Sequence, residues 1–185
     1  MFCDCKSLKT IDVSSFNTSK ATRMNCMFGF CPSLQSIDLS NFDTSMVDVG
    51  VSYPYGLSQM FCNCYALTSV NVPRLCRANV KSISSMFQGC PFTTIDLSTW
   101  NTSGVTVCSW MFGECRNLTT IYANEDFNVS QVEHSSNGSG TSKSDYMFLY
   151  CDKLRSPQKS YEYSYSGWDN TYANCTNGYF TYKAG

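Results

Sequence analysis

Six times the chain writes Met-Phe-x-x-Cys, at Met1, Met27, Met60, Met86, Met111 and Met147. The intervals are 26, 33, 26, 25 and 36 residues, so three are near-identical and two carry insertions. A period of this length marks a solenoid, in which one short supersecondary unit cannot bury its apolar side alone and stacks on its own copy. Such an architecture is first of all a surface for binding something else.

Aligned on Met-Phe, the unit continues Cys-x-x-Leu-x-x-Ile-Asp-Leu-Ser-x-Phe-Asn-Thr-Ser. Leu8-x-x-Ile11-x-Val13 recurs as Leu34-x-x-Ile37-x-Leu39, Leu67-x-x-Val70-x-Val72 and Leu118-x-x-Ile121-x-Ala123. In the fourth unit Phe92, Ile95 and Leu97 take these places after a one-residue shortening. This is the Leu-x-x-Leu-x-Leu pattern of a leucine-rich repeat. Residues such as Ile11 and Val13 turn inward at period two, and parallel stacking at about 4.8 Å per rung makes a five-rung sheet roughly 25 Å long.

The outward strand positions then form polar columns, with Asp12, Asp38, Asn71, Asp96 and Tyr122 along one face. Like charges opposite one another in a sheet repel. Flanking hydroxyls and solvent are the expected offset, and no Asp-x-Asp-x-Asp loop supports a cation site. Behind the strands, Phe16, Phe42, Leu75, Trp100 and Phe127 predict a second core column. The steps at Asn17, Asp43 and Asn101, each followed by Thr-Ser, read as repeated turns whose side chains bond to nearby backbone. Met24 with Met27, and Ile83 with Met86, lie three apart, which predicts single helical turns on the opposite side.

These segments resemble the BspA-like leucine-rich-repeat surface proteins of bacteria. Residues 33–45 read SLQSIDLSNFDTS, and residues 93–103 read TTIDLSTWNTS. The tail, with Tyr172-Ala173 and then 178–183, is similar to that family's terminal segment after the last repeat. The resemblance implies a surface-displayed adhesin or host-contact module, located at the cell surface or secreted. It supplies no catalytic residues.

Twelve cysteines are the unusual count. Six of them (Cys5, Cys31, Cys64, Cys90, Cys115, Cys151) fall at one place in successive units, as a buried column of reduced thiols does. Disulfides between adjacent rungs are the runner-up, since the Cα spacing permits them and surface proteins live where they persist. Zinc is a poor third: the Cys-x-Cys pairs are tighter than the usual knuckle, and His134 is the one histidine.

Two insertions, near 49–57 and 133–143, project from the repeat. The first contains Tyr53-Pro54-Tyr55, and its tyrosines either bind a partner or pack back onto the convex surface. The second is Ser/Gly-rich and reads as a flexible loop. The aromatic tail predicts a C-terminal cap, with Trp168 and Phe180 buried against the last rung. The domain division is a repeat region over 1–155 and a capping segment over 156–185.

Net charge is −1 with scattered basic residues, which gives no footprint for nucleic acid. No apolar run approaches the roughly 18 residues of a membrane span. Nothing converges on a cleft in the way catalysis requires: no serine elbow, phosphate loop or isolated carboxylate pair is present. No cofactor or metal is expected. The first residues already belong to a repeat unit, which points to Met1 as an internal repeat methionine and to a monomeric module of a longer protein. The expected function is a non-catalytic binding module of a bacterial adhesin. Its ligand is a host extracellular protein or glycan, contacted through Asp12, Asp38, Asn71, Asp96 and Tyr122 and through Tyr53 and Tyr55. An intracellular interaction scaffold, kept reduced, is the rival, and a phage-borne receptor-binding module is a third reading.

Overall fold

In a computed structural model the described residues are 1–130, 132–133, 143–163 and 169–185. Strands are short and parallel: β1 (Ser36–Asp38), β2 (Ser69–Asn71), β3 (Thr94–Asp96), β4 (Thr120–Ala123) and β5 (Phe180–Tyr182). They lie in two open sheets, β1-β2 and β3-β4-β5, in matched register: Ile37 opposes Val70, and Ile95 opposes Ile121. Ile37 and Ile95 are buried between exposed Ser, Thr and Asp neighbours, the alternation expected of a half-buried strand. Among the described residues the one helical segment is a 3₁₀ turn at Asn170–Tyr172, and no helix is long and apolar enough to cross a membrane.

The expected continuous five-rung sheet is therefore not what forms. The first unit forms no strand at 10–13, although Lys9 O still accepts from Gln35 N at 2.9 Å. Between β2 and β3 the ladder breaks. There the fourth unit is one residue short, Phe92 standing two residues after Cys90 where the other units place Leu three residues after the cysteine. At the other end the tail supplies a strand that the repeats do not. β5 pairs with β4 through Ile121 opposite Phe180 and Ala123 opposite Tyr182.

The expected single helical turns are replaced by a repeated kink. The residue before each internal Met-Phe has positive φ (Cys26, Gln59, Ser85, Trp110, Tyr146), and so does the residue before each ladder cysteine (Asp4, Phe30, Asn63, Gly89, Glu114, Tyr150). A helix cannot propagate through left-handed residues. The kinks instead aim alternate N–H groups at the next unit. Cys26, Phe28 and Phe30 donate to Ser58, Met60 and Cys62 carbonyls at 2.9, 3.0 and 2.7 Å, and Gln59, Phe61 and Asn63 repeat this onto Ser84, Met86 and Gln88. Three bonds per step, each contributing about 1 kcal/mol net, offset the cost of the strained backbone.

That ladder fixes the side chains beside it. Phe2, Phe28, Phe61, Phe87, Phe112 and Phe148 form one stack, with centroids 5.7–5.9 Å apart. The ladder thiols sit alongside. Cys31, Cys64, Cys90, Cys115 and Cys151 donate to the carbonyls of Phe2, Phe28, Phe61, Phe87 and Phe112 in the preceding unit, at 3.0–3.2 Å. The carbonyls of Phe61, Phe87 and Phe112 take a second bond: Phe87 O, for example, also accepts Cys90 N at 3.0 Å. All five cysteines are buried and all twelve are free. Burial pushes the Cys64 thiol up to about 12 and those of Cys90, Cys115 and Cys151 well above their usual value.

The second column is present: Phe42, Leu75, Trp100 and Phe127 are buried and Phe16 partly so. Trp100 Nε1 donates to Val72 O at 2.7 Å, which satisfies the one polar atom of the ring. The Asn-Thr-Ser step divides its labour. Asn17 and Asn101 accept from Ser19 N and Ser103 N two residues on. Thr102 turns inward, accepting from Asn128 N at 2.7 Å and donating to Asn128 O at 2.9 Å in the next unit.

The first insertion is pinned by Asp48, 8% exposed, whose carboxylate accepts from Gly56 N at 2.9 Å and Lys81 N at 2.8 Å. Gly56 is required there: its φ is +44°, and a Cβ would meet Asp48 Oδ2 at 2.6 Å. In the tail, Phe180 is buried and packs edge-on against Phe127 and Phe148. The Tyr161 hydroxyl accepts from Tyr150 N at 3.1 Å, which satisfies a donor at the end of the backbone ladder. Trp168 and the Ser/Gly-rich residues 134–142 lie outside the described residues.

Candidate functional site

The outward strand face carries the polar columns as a shallow groove of about 580 Å³, lined by Thr10, Asp12, Ser36, Asp38, Ser69 and Asn71. Its carboxylates are held rather than loose. Asp12 Oδ1 accepts from Ser14 N at 2.9 Å, and Asp38 Oδ1 accepts from Ser40 N at 2.8 Å and Asn71 Nδ2 at 3.0 Å. These turns follow directly from Asp standing two residues before Ser at the end of each strand. The Ser14 and Ser40 amides hold both carboxyls below their ordinary range, with Asn71 adding to the effect on Asp38. Repulsion between the two is thus offset by backbone donors and one amide, in addition to the solvent and hydroxyls expected. Among the described residues no group of three or more His, Cys, Asp or Glu is arranged to hold a metal.

The other half of the face is occupied by the chain itself. Lys183, just past β5, forms an ion pair with Asp96 Oδ2, and its ammonium lies 5.7 Å from the Tyr122 ring centroid. Burial raises the Asp96 carboxyl, but the bonds from Lys183 and Ser98 outweigh it and the net shift is downward. The same bond to Asp96 raises Lys183. Asp12, Asp38 and Asn71 therefore line an open groove, while Asp96 and Tyr122 grip a lysine. Composition did not single out Lys183. Its available signal was the alternating Tyr-Phe-Thr-Tyr run before it, which reads as a strand, and a strand there delivers residue 183 to this face.

Tyr53 and Tyr55 belong elsewhere. They are 71% and 53% exposed, so they do not pack back onto the body. Tyr55 instead lines a second groove of about 320 Å³ with Pro54, Ser58, Gln59, Ser82 and Ser84. That groove shares no lining residue with the strand-face groove. The Arg23 guanidinium carbon lies 5.9 Å from the Tyr55 ring centroid, within reach of a cation–π contact. The candidate residues thus divide into an acidic strand face and an aromatic loop groove.

No curated protein and no solved structure matches the chain. A family model does, over residues 1–53 and 55–177, and by that match the chain belongs to the family described as Mycoplasma protein of unknown function, DUF285.

Proposed function

We propose that the chain is a non-catalytic binding module of a bacterial cell-surface adhesin, a leucine-rich-repeat solenoid of the BspA-like type that recognises host protein or glycan. The observation that carries this reading is the seat of Lys183 on Asp96 beside the Tyr122 ring. The chain's own tail illustrates what the face accepts: a primary ammonium held by a fixed carboxylate and an aromatic face. Asp12 and Asp38 offer the same kind of carboxylate in the open part of the groove. A partner presenting Lys or Arg fits there, and binding weakens as ionic strength rises. The exposed Tyr53 and Tyr55 supply a second contact.

The test is capture on a panel of immobilised host matrix proteins and glycans. Asp12→Asn and Asp38→Asn, the two carboxylates of the open groove, are then combined in one chain and titrated against the tightest hit. Asn keeps the acceptor of each turn and removes only the charge. The expected result is a loss of over about a hundredfold in affinity, as for residues central to an interface, with the unfolding midpoint nearly unchanged because exposed pairs contribute little. Unchanged affinity contradicts the assignment of this face. An intracellular scaffold is the second reading, favoured by twelve free thiols, five of them donating to carbonyls within the ladder.

A further inference from the structure

Three of the six thiols outside the ladder face oxygen: Cys62 lies 3.9 Å from Gln88 Oε1, Cys76 3.7 Å from Asn101 O, and Cys175 3.5 Å from Ala123 O. Cys3 and Cys26 face each other. Their sulfurs are 2.7 Å apart, Cys3 just after the first Met-Phe pair and Cys26 just before the second. Three features of the local structure hold them so. Phe2 N and Asp4 N, on either side of Cys3, donate to Met27 O at 2.8 Å and Gly29 O at 2.9 Å, which fixes Cys3 against the second unit. Cys26 is one of the kinked residues, with φ of 55°, and this carries its side chain back across its own unit. Gly29 leaves the space: a Cβ there would come within 2.9 Å of the Cys26 sulfur.

The first unit is also the one with most to gain from a tie. It forms no strand, and Phe2, Leu8, Ile11 and Phe16 are only partly buried. Residues 3–26 carry Thr10, Ile11 and Asp12, which form one end of the acidic groove.

We propose that Cys3 and Cys26 form a reversible disulfide that closes residues 3–26 of the first repeat unit into a loop against the second Met-Phe pair, with a low-molecular-weight disulfide as the oxidant. Cys3 is exposed and Cys26 half-buried, so Cys3 reacts first. Its thiolate attacks one sulfur of the oxidant, RSSR, breaking that bond and releasing RSH once the leaving thiolate takes a proton. A mixed disulfide stands on Cys3. The Cys26 thiolate then attacks the Cys3 sulfur, forms the intramolecular bond and expels a second RSH. Two protein thiols are oxidised by two electrons, and one RSSR is reduced to two RSH. Burial, followed by the hydrogen bond and charge of Cys3, pushes the Cys26 thiol up to about 12. The Cys3 contribution disappears once Cys3 is in the mixed disulfide, which favours the second step. The bond rests on this geometry alone and does not depend on what the acidic face binds.

The experiment equilibrates the intact chain with defined ratios of glutathione to glutathione disulfide, quenches with an alkylating reagent and maps peptides without reduction. The expected product is a single Cys3–Cys26 cross-link, reversed by dithiothreitol. With it, amide exchange over residues 8–16 slows at least tenfold, while the buried thiols stay unmodified until the chain is denatured. Cys26→Ser traps a glutathione adduct on Cys3, and Cys3→Ser leaves Cys26 free of adduct. Circular dichroism confirms that both variants are folded. Three results each overturn the proposal: a cross-link between other cysteines, a glutathione adduct persisting on Cys3 in the unsubstituted chain, or both thiols remaining alkylatable at every ratio.

Discussion

Raising the pH from about 8 to about 11 unfolds this chain cooperatively, and the loss begins where free thiols ionise. The ladder cysteines donate S–H to buried carbonyls, so the fold requires them protonated. Burial raises the Cys64, Cys90, Cys115 and Cys151 thiols above the ordinary range of a free thiol, Cys64 to about 12. For a group whose folded pKa is raised, stability is fully present below the unfolded pKa and falls as pH rises beyond it, because the unfolded chain releases a proton that the folded chain keeps. Each such thiol contributes a slope of about 1.4 kcal/mol per pH unit, so four together give roughly 5 to 6. Against a net stability of order 10 kcal/mol, the midpoint falls near pH 11. Urea unfolding followed by circular dichroism at stepped pH measures the slope directly. Replacing Cys90 by Ala removes one proton's share of it. Stability that stays flat to pH 10.5 contradicts a ladder of protonated donors.

Phe87→Ala is the most damaging single truncation of the aromatic stack. The ring is fully buried between Phe61 and Phe112, with Phe92 edge-on and Trp100 beside it. Its removal leaves a cavity that the backbone ladder on both sides prevents from collapsing, and the expected cost is about 3–5 kcal/mol. Phe2, at the open end and only partly buried, is expected to cost about 1–2 kcal/mol when cut to Ala, in proportion to the apolar area it covers. Urea titration of the two variants at neutral pH reads the difference. Equal losses contradict a stack whose cohesion is concentrated in its middle units.

The features legible before folding were those that the repeat writes in side chains. Period and chemistry together identify the Phe and Cys columns, because an apolar residue and a small one recurring in step must stack. The turn at Asn17 or Asn101 could be read from the side chain's reach to its own backbone two residues on. The backbone kinks were not legible. Before Met-Phe, positive φ is borne by Cys26, Gln59, Ser85, Trp110 and Tyr146, none of which favours it, and of the six before the ladder cysteines only Asp4, Asn63 and Gly89 are types that do. Tertiary hydrogen bonding imposes it against local preference. The sheet's interruption followed from a one-residue shortening whose geometric effect no periodicity reveals. The acidic face was visible as a column, yet its division into an open half and a half held by Lys183 depends on β5, a strand from outside the repeat. Cys3 and Cys26 are 23 residues apart and occupy different places in their units, so alignment of the repeats does not pair them.

The proposed binding role requires a face displayed to the outside, and protease shaving of intact producing cells tests that most directly. Cells are treated briefly with trypsin, released peptides are identified by mass spectrometry, and a cytosolic protein is followed in parallel. The expected result is release of peptides from residues 1–155 before the cytosolic control appears. Protection of this region until the cells are lysed contradicts surface display and turns the search for partners to the cytosol.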